Sequence, residues 1–137
     1  MRRAIIVGLI VIALPVLLYA ALRLSWELGG EVVELHTYDA AGGELVSRLW
    51  VVDVDGHAYL RTGDKGAAWL ARLRADPHVT VTRRGETGTF TAVADDNAEL
   101  RDQVNAAVLA KYGFAESLLR MVLLNPDHAV AIRLDAK

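Results

Sequence analysis

The stretch Leu49-Trp50-Val51-Val52-Asp53-Val54-Asp55-Gly56-His57-Ala58-Tyr59-Leu60-Arg61-Thr62-Gly63 decides the fold of this chain. Two runs rich in Val, Trp, Tyr and Leu flank Asp55-Gly56, the dipeptide that most favours a two-residue hairpin because both of its positions accept positive φ. The first run extends back to give a strand over Glu44–Val54, and the second is a strand over His57–Thr62. Working outward, Glu31–Tyr38 reads as a strand, followed by a Gly-containing turn at Ala40–Gly43. Gly63-Asp64-Lys65-Gly66 is a polar loop, and a helix over Ala67–Ala75 ends at Asp76-Pro77. His78–Arg84 and Thr87–Ala94 alternate apolar and polar residues, as half-buried strands do. A helix then runs to Tyr112, with Asp95 or Asp96 as its cap and Gly113 as its stop. A further helix covers Ala115–Leu124, and Ala129–Leu134 is a closing strand. Six strands and a few helices in about 110 residues predict an α+β domain, a small barrel with helices packed outside.

Composition narrows the function. The 137 residues are 53% hydrophobic and 23% charged, with no cysteine and a formal net charge of -2. Thiolate nucleophiles, disulfides and Cys-based zinc sites are excluded, and the charge argues against a nucleic-acid partner. The charge is unevenly spread. Residues 4–22 carry none, whereas twelve of the fifteen Lys and Arg and all seventeen Asp and Glu follow Trp26, which leaves that part five charges negative. A helix over Ala4–Leu22 is about 29 Å long, near the thickness of a bilayer core. The expected organisation is therefore a single-pass transmembrane anchor over 1–26 and a globular domain over 27–137. A cleaved secretory signal is the competing reading, but the apolar core is long and lacks a small-x-small cleavage site. Arg2 and Arg3 against Arg23 favour the N-terminus inside, by one arginine.

Little in the chain suggests acid–base or metal chemistry. His36, His57, His78 and His128 share no ligand spacing, and Ser25, Ser47 and Ser117 lie in no nucleophile elbow. No catalytic residue and no metal site are assigned. Arg48, then Arg61-Thr62-Gly63, then Lys65 and the start of a helix form the inventory for a phosphate: charge-assisted donors, a hydroxyl and open backbone N–H groups. The alternative is a solvated strand end with ordinary surface charges. Trp50 and Trp69 either stack on a ring or pack in the core, and Tyr112 is a candidate proton donor. The apolar side of Phe114–Leu124 reads first as core, with a dimer surface or a membrane-lying patch as alternatives.

The run Leu49-Trp50-Val51-Val52, Gly56, Tyr59-Leu60-Arg61-Thr62-Gly63, Lys65, Trp69-Leu70 and Leu73-Arg74-Ala75-Asp76-Pro77-His78-Val79-Thr80-Val81 resembles the FMN- or deazaflavin-binding split β-barrel superfamily. That group includes pyridoxamine-phosphate-oxidase-like proteins and deazaflavin-dependent nitroreductases. Ala110-Lys111-Tyr112-Gly113 is similar to a small branch of it. The resemblance covers about residues 31–135. It implies a six-stranded split barrel, an FMN or deazaflavin cofactor, and a homodimer. It also implies cofactor contacts from Arg48, Trp50, Arg61, Thr62, Gly63, Lys65 and Trp69. The function it implies is an oxidoreductase whose redox chemistry resides in the cofactor; joined to the anchor read from residues 4–22, it is expected to be membrane-anchored and to act on a small or lipophilic acceptor. The alternative is a non-catalytic, membrane-tethered module on the same barrel without its cofactor.

Overall fold

The structure is a computed structural model describing residues 12–21, 24, 30–63, 66–122 and 125–137. Residues 12–21 are helical (α1). The domain runs β1 (Val32–Tyr38), β2 (Glu44–Val54), β3 (His57–Arg61), α2 (Ala68–Ala75), β4 (His78–Arg83), β5 (Glu86–Asp95), α3 (Ala98–Tyr112), α4 (Phe114–Val122), a 3₁₀ turn (Pro126–His128) and β6 (Ala131–Ala136). The strands close into a barrel in the order β1-β2-β3-β6-β5-β4. Every pairing is antiparallel. The expected α+β barrel with outer helices is the fold observed.

The hairpin forms as expected, with Val54 opposite His57. Asp55 and Gly56 take φ of 50° and 79°, as the favoured two-residue turn requires. β2 then shows why its sequence is continuously apolar from Leu49 to Val52. Leu49 and Val51 point into the barrel with Val33, Leu35, Leu60, Val79, Val81 and Ile132. Trp50 and Val52 point outward, where Tyr59 and the α3 residues Val104, Val108 and Tyr112 cover them. Burial on both faces removes the usual alternation. The short helix α2 sends Leu70 and Leu73 into the barrel core, with Trp69 packed against it.

Three sequence expectations are corrected. The cap of α3 is Asn97, whose Oδ1 accepts from the Leu100 N–H at 3.1 Å. Asp95 instead accepts from the Asn97 N–H at 2.8 Å, and Asp96 pairs with Arg74 at 3.2 Å. The closing strand starts two residues later than expected, because Thr62 fastens the preceding Val130. On α4, Ala115 and Leu119 are core, but Phe114 and Met121 are exposed. Of the apolar side expected at Leu118, Leu119, Val122 and Leu123, Leu118 is half-buried, and Leu123, like Leu124, lies outside the described residues.

Of the expected anchor, residues 4–11 and 22 also lie outside the described residues. Among those described, no helix is long and apolar enough to cross a membrane. The large apolar side chains of α1 are 52–67% exposed from Ile12 to Tyr19.

Candidate functional site

The expected site residues fall into two groups. Arg48, Trp50 and Arg61 belong to the outer face of the β2–β3 hairpin, where alternation sets them in phase with Val52 and Tyr59. Gly63 follows β3, and Trp69 sits on α2 against the barrel core. Thr62 lies between the groups, fully buried. Lys65, with its neighbour Asp64, lies outside the described residues.

The described donors Arg48, Arg61 and Thr62 already have partners. The two Nη groups of Arg61 meet the two oxygens of the Glu116 carboxylate end-on, at 2.7 Å and 2.8 Å, and Nη1 also donates to Asn105 Oδ1 at 3.1 Å. Its side chain is 9% exposed and that of Glu116 is 0%. Arg120, one turn further along α4, donates to the same carboxylate at 2.6 Å and to the Asn105 carbonyl at 3.0 Å. Asn105 in turn donates to the Pro126 carbonyl at 3.0 Å. Burial by itself would push the Glu116 carboxyl up, but the bonds from Arg61 and Arg120 outweigh it and hold the group below its ordinary range. The network ties β3, α3, α4 and the 3₁₀ turn to one point. Thr62 exchanges bonds with Val130: its own N–H donates to the Val130 carbonyl at 3.0 Å, and its Oγ1 accepts from the Val130 N–H at 3.1 Å.

Trp50 is stacked on Tyr112, centroids 4.2 Å apart and planes within 5°. A Cβ on Gly30 would come within 2.0 Å of the Tyr112 ring, so glycine is required there. The Tyr112 hydroxyl accepts from the Val51 N–H at 3.1 Å and is within donating distance of the Glu31 carbonyl at 2.6 Å and the Val51 carbonyl at 2.8 Å. It thus closes the β1–β2 ladder just beyond its last pair, Val32 with Trp50. Burial pushes this phenol up to about 12, which makes it a poor proton donor at neutral pH.

Beside it, Glu31 gathers cations. Arg83 at 2.9 Å, Arg84 at 2.7 Å and Lys111 at 2.7 Å all reach its carboxylate. The Arg83 bond, with help from Lys111, lowers the Glu31 pKa to about 2. Arg83 also meets Asp53, at 2.7 Å and 3.0 Å. Elsewhere, His36, His57 and His78 each face a single carboxylate, and the described residues hold no group of three or more metal-ligating side chains. Of two open clefts, the second is lined in part by Asp53, the partner of Arg83. One, of about 420 Å³, is lined by Leu73, Pro77 and Thr91 among others. The other, of about 490 Å³, is lined by His57, Phe90 and Asp135 among others.

As holders of a cofactor phosphate, Arg61 and Thr62 do not fit, because both are spent within the protein. The residues that spend them, Glu116 and Asn105, were not anticipated from sequence. The signal was present: on α4, Glu116 lies between the core residues Ala115 and Leu119, spaced i, i+1 and i+4, so a carboxylate occupies a core position of an otherwise apolar helix face.

No family model matches the chain, and no curated protein matches it. Solved structures do. The conserved hypothetical protein Rv2991 from Mycobacterium tuberculosis aligns with TM-score 0.63 and 19% identity, over 84% of this chain and 79% of that one. HutZ, the heme storage protein from Vibrio cholerae, aligns with TM-score 0.60 and 19% identity, over 82% and 85%. A putative pyridoxamine 5′-phosphate oxidase from Listeria innocua aligns with TM-score 0.58 and 12% identity, over 88% and 94%. The fold is thus the split β-barrel these proteins share; identities this low speak to the fold alone.

Proposed function

We propose that the chain is a membrane-tethered, non-catalytic binding module built on the split barrel, with residues 4–22 as its anchor and the N-terminus inside. The observation that carries this reading is the Arg61–Glu116 pair. The cation best suited to an anionic cofactor tail on this face is neutralised by an internal carboxylate, and Trp50 is covered by Tyr112 rather than open to a ring. A helix of exposed apolar residues just upstream supports the anchor.

A second reading is a flavin- or deazaflavin-dependent oxidoreductase acting on a small or lipophilic acceptor. It is favoured by one feature besides the fold: the loop from Gly63 to Gly66 leads into α2, whose cap residue Ala67 makes no side-chain bond to the first turn. A phosphate there would meet the start of a helix with no side-chain cap, and Lys65 stands in the same stretch of sequence. FMN or a deazaflavin would supply the hydride chemistry itself.

The two readings separate in one experiment. The full chain is extracted in mild detergent, its absorbance spectrum recorded, and the protein titrated with FMN and with reduced deazaflavin. The expected result is a colourless protein with no saturable binding to either. A flavin-type spectrum, or saturable binding, overturns the module reading in favour of the oxidoreductase.

A further inference from the structure

We propose that the solvent side of α4 lies on the surface of a lipid bilayer, so that the domain rests on the membrane that holds it; this rests on the anchoring reading above. α4 is turned inside out relative to an ordinary surface helix. Its charged residues, Glu116 and Arg120, are bonded to each other at 2.6 Å, and Glu116 is wholly buried. The outward stripe is Phe114, Ser117, Leu118 and Met121, spaced i, i+3, i+4, i+7 and free of charge. Phe114 and Met121 are each 77% exposed. Even the Ser117 hydroxyl turns back to the Gly113 carbonyl at 3.2 Å. A helix with large apolar residues along one side settles at the boundary between headgroups and acyl chains.

The route of the chain identifies the occupant. Gly30 is packed on Tyr112, two residues before Phe114, so the polypeptide enters the domain beside the first turn of α4. The link over 22–29 reaches at most about 30 Å when extended. A bilayer holding α1 is therefore within that reach of the stripe. Arg84, 75% exposed, and Lys111 stand by the same entry point with Arg83 around Glu31 and Asp53, three cations against two carboxylates, a positive excess suited to anionic headgroups. A second copy of the chain is the poorer occupant. Three large side chains do not build the roughly 800 Å² per partner of a stable interface.

The absence of cysteine allows a direct test on the full chain in phosphatidylcholine–phosphatidylglycerol vesicles. Single variants Val16→Cys, Phe114→Cys, Met121→Cys and Thr89→Cys carry an environment-sensitive fluorophore; Thr89 is an exposed residue of β5, the strand opposite β2 in the barrel order. Labels at positions 16, 114 and 121 are expected to be quenched by acyl-brominated lipid, and the label at 89 is not. Quenching at 16 with none at 114 and 121 overturns the inference and leaves the anchor intact. No quenching at 16 overturns the anchor, and the inference with it. Blue-shifted emission at 114 and 121 without lipid quenching overturns the inference in favour of a second copy.

Discussion

Arg61 and Glu116, one from the last residue of β3 and one from the first turns of α4, form a two-pronged ion pair with no carboxylate surface left to solvent. Removing one partner of such a pair leaves an unpaired charge in a desolvated place and costs about 3–5 kcal/mol. Glu116→Ala, which strands the Arg61 guanidinium, is expected to lower unfolding stability by that amount, and Arg61→Ala by less, because Arg120 still bonds the Glu116 carboxylate. The double variant should lose clearly less than the sum, because the two changes remove one shared interaction. Denaturant titration of the three variants checks this, and additive losses would contradict the pairing.

Tyr112→Phe removes one hydroxyl that serves both the Val51 N–H and a carbonyl acceptor. The buried N–H then has no partner, at an expected cost of about 1–3 kcal/mol. Gly30→Ala drives a methyl into the same ring and should cost at least about 1–3 kcal/mol through forced displacement. Thermal unfolding of both variants reads these losses.

Acid should weaken the fold through Glu31. Its folded-state pKa is depressed, so its contribution is complete above the ordinary value of 4.5 and is lost as pH falls from there toward about 2. The sign follows from the unfolded state binding the proton more readily. Glu31→Gln is expected to flatten the stability–pH curve in that window, measured as unfolding midpoints across acid buffers.

Alkali acts through Tyr112. With its folded value raised to about 12 from 10.0, the neutral phenol stabilises the fold below about 10, and that contribution is lost as pH rises through about 12. Of the four tyrosines, one should ionise late in a tyrosinate absorbance titration, and the late step should vanish in Tyr112→Phe.

If the oxidoreductase reading holds, Lys65→Ala should weaken FMN or deazaflavin binding by about 1.5–3 kcal/mol, the range for a charge-assisted bond to phosphate. Equilibrium binding with the full chain reads this, and an unchanged affinity would show that the loop does not hold the phosphate.

The strands were legible because their signals are local. Alternation in β4, the two-residue turn at Asp55-Gly56 and the doubly buried run of β2 depend on near neighbours. The partners of Arg61 and Thr62 were not legible, because they are set by closure: β6 brings Val130 to Thr62, and α4 brings Glu116 to Arg61 across 55 residues. A run of Arg, Thr and Gly reads the same whether it faces a ligand or the protein's own carboxylate. Only the out-of-phase Glu116 hinted at which.

The place of β6, between β3 and β5, has a consequence for synthesis. Until Ala131–Ala136 leave the ribosome, β3 and β5 each carry an open row of backbone donors and acceptors. The cylinder therefore cannot be completed before β6 has emerged. A nascent chain would carry those two sticky edges until then.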